Sequence, residues 1–569
     1  MNEKEIRIVA EEEAIKNKAK YGEASSKVVF GMVMKNLKGK ISKQDIVKVR
    51  EIVENIVEEV NKRKDVVMKE KDKEQKANKE KLYDINYLIE NLKPLPNAKH
   101  GEVVTRMEPS PSGPLHLGHI FTLLINYWYA KKYNGKFILR IADTNAKNIL
   151  PESYNMIAED AEWLIGELPE IVTQSERMEL YYEVAKYLIE DGRAYVCTCK
   201  PEKFKKYVDA KKPCPHRDQS ISKNLEMWER MLKCRYDEGE AVLRIKTNLE
   251  HENPAVRDWP AFRIIKEKHP LTHHKYCVWP LMNFSVAVDD HHNNITHVIR
   301  GKDHLVNTER QKYIYEYMQW DLPEFLHMGK INFTDLKLST TQIKKDIKEH
   351  KYEGWDDVRL PFVRSFKKRG FHPKAFSIWV LQIGFTTRDK KTSYEEFMKN
   401  LIKINRVLID KESRRLFFVK DPVKIKIINL KEDVEIKLPY HPDVSEYGER
   451  MLNLKASDPY VFLEKNDWER LDKEKSMRLK GLGVLRKKSD NEGELDLHDT
   501  ASKLPVVHYL PSGNEIKAKV VMPDASIIDG LAEYNLKEFF KESRFQFERF
   551  GFVKLDKIYI DPLLYYIHK

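Results

Sequence analysis

Two histidines three residues apart, His116 and His119, close the run Arg106-Met-Glu-Pro-Ser-Pro-Ser-Gly-Pro-Leu-His-Leu-Gly-His119, whose residue types suit nucleotide chemistry. A β-type run from Glu102 to Met107 precedes it and a helix-like run from Ile120 to Lys132 follows. Pro109, Gly113 and their neighbours therefore form a loop delivering the chain to a helix N-terminus. Such an end presents unpaired N–H groups and partial positive charge, which suits phosphate. Positions three apart share a helical face, so both imidazoles can reach one anion. Gly118, between them, leaves the backbone open to a flat base. The competing reading is a Pro/Gly-rich loop with two incidental histidines, and for His-x-Gly-His alone the two stand level.

These side chains need a scaffold. Lys136 to Asp143 reads as a buried strand and Ser153 to Ile165 as a helix, so strand and helix alternate as in a doubly wound, Rossmann-like parallel sheet. Ligands of such sheets bind beyond the strand carboxyl ends, where Arg106 and the segment Ala142-Asp-Thr-Asn145 converge on one crevice. Phe284 to Val288 and Ile295 to Arg300 read as further strands, and Arg300 ends the second on the crevice side, where a guanidinium can clamp a carboxylate. A salt bridge from Arg300 to Asp289 or Asp290 is the weaker alternative.

Elsewhere, Cys197-Thr-Cys199 and Cys214-Pro-His216 form two close pairs of the ligands zinc prefers, which points to structural Zn2+; the alternative is plain burial of small thiols in a strand. Cys234 and Cys277 have no ligand-like neighbours and are expected in core packing. Residues 1–97 read as amphipathic helices over Ile6 to Lys18, Lys27 to Leu37 and Lys43 to Val60. Nine basic and five acidic residues between Lys62 and Lys81 suggest a solvated helix or linker rather than an RNA contact. From about Lys411 the period changes to two, as in Lys424 to Ile428, Glu515 to Val521 and Lys557 to Ile560, which predicts antiparallel β-barrels.

The composition agrees. With 569 residues, 41% hydrophobic and 10% aromatic, several packed domains are expected, and a net charge of +12 favours a polyanionic partner such as nucleic acid. No apolar run approaches a membrane span and Met-Asn-Glu-Lys-Glu is no signal peptide, so no membrane partner and a cytoplasmic location are expected. Five cysteines, an odd number in a long chain, do not resemble a disulfide framework.

The Arg106 to His119 run, Arg140-Ile-Ala-Asp-Thr-Asn145, Val256 to Pro260, Val288-Asp-Asp-His291, Thr296 to His304 and Gly354-Trp-Asp-Asp-Val-Arg-Leu-Pro361 together resemble the class I aminoacyl-tRNA synthetases, within them the archaeal glutamyl-tRNA synthetases. The resemblance implies glutamate–tRNA ligase activity: glutamate attacks ATP, with Mg2+, to give an adenylate, and the acyl group passes to the 3' end of tRNA. It implies a helical N-terminal extension at 1–97, catalytic halves at 98–196 and 284–330, an inserted acceptor-stem domain at 197–283, a signature loop and helical connection at 331–410, and a β-barrel anticodon-binding region at 411–569. Pro109, Gly113, His116, Gly118, His119, Ser339 and Thr340 would hold ATP, and Arg106, Glu108, Ser110, Asp143, Met282 and Arg300 would line the amino-acid site. His116, His119, Lys337 and Lys344 would serve catalysis, and the basic helical region from Arg359 to Gly370 and Arg478, Lys480 and Arg486 to Lys488 would meet RNA. A monomer is expected, with glutamate tRNA as acceptor and glutamine tRNA left open.

Four positions depart from that pattern. Ala142 stands where the family usually has a glutamate that holds the substrate ammonium, Glu108 where it has a small residue, Met282 where a pocket tyrosine is common and Gln342 where archaeal members carry the signature lysine. Glu108 and Ala142 read as a compensating exchange between adjacent loops. The alternative function is a tRNA-binding paralogue with impaired or altered activation, and a small-molecule adenylyltransferase is a weaker third.

Overall fold

The computed structural model describes residues 3–21, 24–37, 45–62, 80–336, 339–498, 504–558 and 560–569. Lys337, expected in the catalytic loop, and most of the charged run after Lys62 lie outside them. The chain divides into two compact units, 1–88 and 89–569.

In the first unit three helices pack together: α1 (Glu3–Tyr21), α2 (Ser26–Asn36) and α3 (Ile46–Lys62). Ile6, Ala10 and Ala14 recur every fourth residue on α1, and Val49, Val53 and Val57 do so on α3, so each helix buries one stripe, with Val29 and Val33 of α2 between them.

The second unit begins with a parallel layer. Strand β1 (Val104–Met107) leads through the histidine loop into α4 (Leu117–Lys132), then come β2 (Lys136–Ile141), α5 (Ser153–Ile165), β3 (Glu170–Thr173) and α6 (Met178–Glu190). β1 pairs in parallel with β2 and β2 with β3. The inserted segment folds as an antiparallel sheet of β4 (Ala194–Cys197), β5 (Val242–Ile245), β6 (Pro260–Ile264) and β7 (Val278–Pro280), backed by α7 (Ile221–Leu232). α8 (Met282–His292) then returns the chain to the parallel layer as β8 (His297–Gly301), α9 (Leu305–Met318) and β9 (Glu324–Met328). β8 pairs in parallel with β9, and Thr296 and Val104 exchange hydrogen bonds that set β8 beside β1. The carboxyl ends of β1, β2 and β8 thus open on the same edge, as the alternation predicts.

Phe284 to Val288, read as a strand, is instead the middle of α8. The helix is buried continuously from Asn283 to Asp290, so it has no polar face and its period does not show in the sequence. Cys234 and Cys277 correct a second expectation: they form a disulfide joining the turn after α7 to the approach to β7. Cys277 is buried, so the packing role holds for that half alone.

Four helices follow, α10 (Thr340–Lys348), α11 (Val363–Arg369), α12 (Pro373–Ile383) and α13 (Tyr394–Ile409), and from Arg414 on the chain is rich in strands. Two seven-stranded sheets form, one running from Arg414–Leu416 to Phe418–Lys420 at its edges and the other from Val506–Val507 to Leu510–Pro511. Among the described residues no strand pairing joins either sheet's two edges, so β-rich layers are present rather than the closed barrels expected. Of the alternation from Lys557 to Ile560, Lys557 is the last residue of a strand from Gly551, Ile558 and Ile560 lie outside it, and Tyr559 is not among the described residues.

Candidate active site: a crevice at the strand ends

The histidine loop is clamped before it becomes a helix. Leu115 N donates to Asp160 Oδ2 on α5 at 3.0 Å, Leu117 N donates to Pro361 O at 3.1 Å, and Val363 N donates to Leu115 O at 2.9 Å. Gly113 packs where a Cβ would lie 3.3 Å from the Thr340 methyl at the start of α10, so the ATP-type loop and the second signature segment touch. Burial lifts the Asp160 carboxyl to about 7, against the nearby Arg364 guanidinium.

His116 is the N-cap of α4. Its Nδ1 accepts from Gly118 N at 3.0 Å, and His119 Nδ1 accepts from His116 N at 3.4 Å. An imidazole nitrogen that accepts is unprotonated, so each neutral ring carries its proton on Nε2 and keeps one donor free for a ligand. Burial depresses both groups, His116 to about 4 and His119 well below its ordinary value, with the neighbouring His116 adding to the shift of His119. In this state the pair offers N–H donors rather than fixed positive charge.

A crevice of about 670 Å³ opens beside this loop, walled by Arg106, Glu108, Ser110, Gly118, His119, Ala142, Thr144, Met282 and Arg300 among others. Two loops from different strands do meet here, and Ala142 N donates to Pro109 O at 3.0 Å to fix them together. Pro109, Gly113 and His116 belong to the same loop without lining the crevice themselves, while Ser339 caps α10 by accepting from Gln342 N at 3.3 Å.

Charge in the crevice is mostly paired. Arg106 donates to both oxygens of Asp290, from Nε at 3.1 Å and Nη2 at 3.0 Å, and Arg140 reaches the same carboxylate at 2.7 Å. Arg106 is thus committed to a buried partner that the sequence places 184 residues away. Asp143 is fully buried and held by Ser175 N and Oγ at 2.8 and 2.6 Å and by Tyr154 Oη at 2.8 Å, so it braces the second loop from behind. Glu108 is different. Its side chain is 13% exposed, 3.6 Å from Arg140 and 3.9 Å from Arg106, and burial raises its carboxyl while both guanidiniums lower it.

Arg300 has no carboxylate partner among the described residues. It donates to Thr308 Oγ1 and Gln311 Oε1, both at 2.7 Å, and its Nε is buried without any partner. Burial, with the Arg106 charge nearby, brings it down to about 10, which still leaves a cation at neutral pH. The bridge to Asp289 or Asp290 does not form. An under-neutralised guanidinium in a crevice wall is a site for an incoming carboxylate.

The Cys/His quartet also assembles. The ligand atoms of Cys197, Cys199, Cys214 and His216 all lie within 4.8 Å of one another, with Cys197 Sγ 3.9 Å from Cys214 Sγ and Cys199 Sγ 3.3 Å from His216 Nδ1. Two sulfurs bound to one tetrahedral zinc at about 2.3 Å stand roughly 3.8 Å apart, so the spacing fits. Thr198 Oγ1, 3.0 Å from His216 Nε2, fixes the other ring nitrogen.

The basic residues near α11 are largely spoken for. Arg359 pairs with Asp357, Arg364 with Glu159, and Arg369 is buried and donates to Ile567 O. Lys367 stays exposed. Gln174 lines the crevice and no sequence reading singled it out; its one visible signal is a polar quartet, Gln174 to Arg177, directly after a strand.

Residues 102–406 match the model of the class I tRNA synthetase (E and Q) catalytic domain, and 413–499 and 503–556 match the two anticodon-binding domain models of the same group. The chain belongs to the class I tRNA synthetases of the E and Q group. Within that group it is of the archaeal glutamyl type: it is 43% identical to the glutamate–tRNA ligase of Methanocaldococcus jannaschii over 96% of both chains, 41% identical to that of Methanopyrus kandleri over 98% of both, and 42% identical to that of Pyrococcus furiosus over 96% of this chain and 97% of the other. The tRNA-binding paralogue is not favoured against this record, and no helix among the described residues is long and apolar enough to cross a membrane.

Proposed function

We propose that this glutamate–tRNA ligase activates glutamate in the crevice between the histidine loop and β8, with Arg300 as the side-chain carboxylate clamp and Glu108 as the ammonium ligand. The unpaired Arg300 guanidinium carries the reading. Glu108 faces the space that Ala142 leaves open, so the carboxylate missing from one loop is supplied by the other.

The chemistry left to the protein is positioning and charge. Glutamate bound through Arg300 and Glu108 directs its α-carboxylate toward ATP, whose phosphates meet the Nε2–H donors of His116 and His119 and the start of α4. The carboxylate oxygen attacks the α-phosphorus, the bond to the bridging oxygen breaks, and pyrophosphate leaves with the electron pair. A ribose hydroxyl at the tRNA 3' end then attacks the acyl carbon and AMP departs. Magnesium, when bound with ATP, would supply further neutralisation of phosphate charge, and Asp303, the half-exposed crevice carboxylate that now pairs with Lys330 at 3.4 Å, would be the side chain to hold it. Zinc held by Cys197, Cys199, Cys214 and His216 would staple the inserted domain and take no part in the chemistry. The strand-rich region binds the anticodon arm of the tRNA, and the protein works as a cytoplasmic monomer on glutamate tRNA.

Pyrophosphate exchange with ATP and glutamate, with and without tRNA, tests the reading. Exchange in at least one condition is expected, and none in either would overturn it. Glu108→Ala should raise KM for glutamate while leaving KM for ATP in place; an unchanged glutamate KM ends the loop-exchange idea.

A further inference from the structure

Gln174 begins the short turn Gln174–Arg177 that follows β3. It is 1% exposed, yet its side chain forms part of the crevice wall with Glu108 and Ala142. Its Nε2 donates to Asp289 Oδ2 at 2.8 Å and to Glu108 Oε1 at 3.2 Å. Ionised carboxylates accept and never donate, so the two of them fix the amide: NH2 faces the acids and Oε1 faces away. Asp289 is itself immobile, receiving Tyr181 Oη at 2.7 Å and Arg177 Nε at 2.7 Å. Gln174 Oε1 accepts no hydrogen bond from any described residue, and it is not among the polar atoms sealed without a partner.

We propose that Gln174 is a positioning residue for the substrate ammonium: it ties the Glu108 carboxylate to the rigid Asp289 anchor and presents its own amide oxygen as a second acceptor beside it. The inference rests on the reading of Glu108 given above. A single carboxylate on a loop can swing toward Arg140, 3.6 Å away, or toward Arg106, 3.9 Å away, and either movement would withdraw it from a ligand. The Gln174 hydrogen bond opposes both. An ammonium has three donors, and a carboxylate oxygen plus an amide oxygen meet two of them. The arrangement explains how a chain with Ala142 can still select an α-amino acid: acceptors come from the loop after β1 and from the turn after β3 instead of from the end of β2.

The test compares two ligands that differ only at the group concerned. Glutarate has both carboxylates of glutamate and lacks the ammonium. With tRNA present, KM for glutamate and the inhibition constant of glutarate are measured by pyrophosphate exchange for wild type, Gln174→Met, which keeps the volume, and Glu108→Gln. Gln174→Met is expected to raise KM for glutamate by about ten- to a hundredfold, the scale of a lost hydrogen bond to a charged group. The glutarate constant and KM for ATP should stay within about twofold, well under the tenfold that one such bond commands. Equal weakening of glutamate and glutarate would make Gln174 a plain structural pin for Asp289 and overturn the inference. If Gln174→Met does not fold, Gln174→Asn, which keeps an amide on a shorter stem, is read by the same ratio. Should Glu108→Gln leave the glutamate-to-glutarate ratio unmoved, the ammonium reading itself fails, a result separate from a Gln174 effect alone being absent.

Discussion

His116 and His119 stack ring on ring, their centroids 3.7 Å apart and their planes 24° from parallel. Two imidazolium ions could not sit this way, and burial keeps both neutral, bringing His116 down to about 4 and His119 well below its ordinary value. In the unfolded chain both return to about 6.5. Between those values the unfolded chain binds more protons than the folded one, so stability is full above about 6.5 and is lost as pH falls toward 4. Urea midpoints at pH 7 and pH 5 should therefore fall further for wild type than for His116→Asn/His119→Asn. Equal falls would show that the rings are solvated in the folded state.

Gly118 sits against that stack, and a Cβ there would lie 2.9 Å from His116 Cε1. The ring could yield only by giving up its bond to Gly118 N and its contact with His119. Gly118→Ala should thus raise KM for ATP and cost about 1 kcal/mol of stability through the lost N-cap. Isothermal titration with ATP and a thermal melt check both; an unchanged ATP affinity would mean that the histidine geometry does not set nucleotide binding.

The parallel layer and the meeting of the two loops were legible because both rest on local signals, alternation and loop chemistry around Arg106 and Ala142. What was illegible depends on partners far along the chain. Arg106 lines the crevice as its type and place suggest, but its pairing with Asp290, 184 residues on, has no signal in the sequence, nor does the hold of Ser175 on Asp143. Gln174 was missed because glutamine has no motif, and its meaning lies in bridging Glu108 and Asp289. The α8 helix was misread since a segment buried on all sides shows neither period.

The cysteines divide into a disulfide pair and a ligand set, which sets a countable outcome. Of five cysteines, Cys234 and Cys277 are bonded and Cys197, Cys199 and Cys214 are free. Under denaturing, non-reducing conditions three thiols should react, rising to five after a dithiol. Native protein should carry one zinc and release it on Cys214→Ser, with a lower melting temperature, because the ion contributes folding energy only while its ligands are complete. Full-strength melting of metal-free protein would show the quartet to be a packed thiol cluster.

Gln342 stands where the archaeal pattern has lysine, and its amide is tied to Asp346 Oδ1 at 3.0 Å, an acceptor it shares with Lys351 at 3.0 Å. The neighbouring lysines are poor replacements by geometry. Lys344 lies two residues on along α10, about 200° around the axis, so it points to the other side. Lys345 is nearer in direction but pairs with Glu349 at 3.7 Å. Lys337 lies outside the described residues, so within α10 no lysine takes the place of Gln342, and the missing charge there is expected to carry a cost that a single substitution reveals. Gln342→Lys should raise kcat for pyrophosphate exchange by about tenfold, roughly 1.4 kcal/mol of barrier, with KM for glutamate unchanged. Lys344→Ala should leave kcat near wild type. If Lys344→Ala abolishes exchange and Gln342→Lys adds nothing, α10 turns in the working complex to bring Lys344 to the phosphates, and the signature charge has moved two residues along the helix instead of being lost.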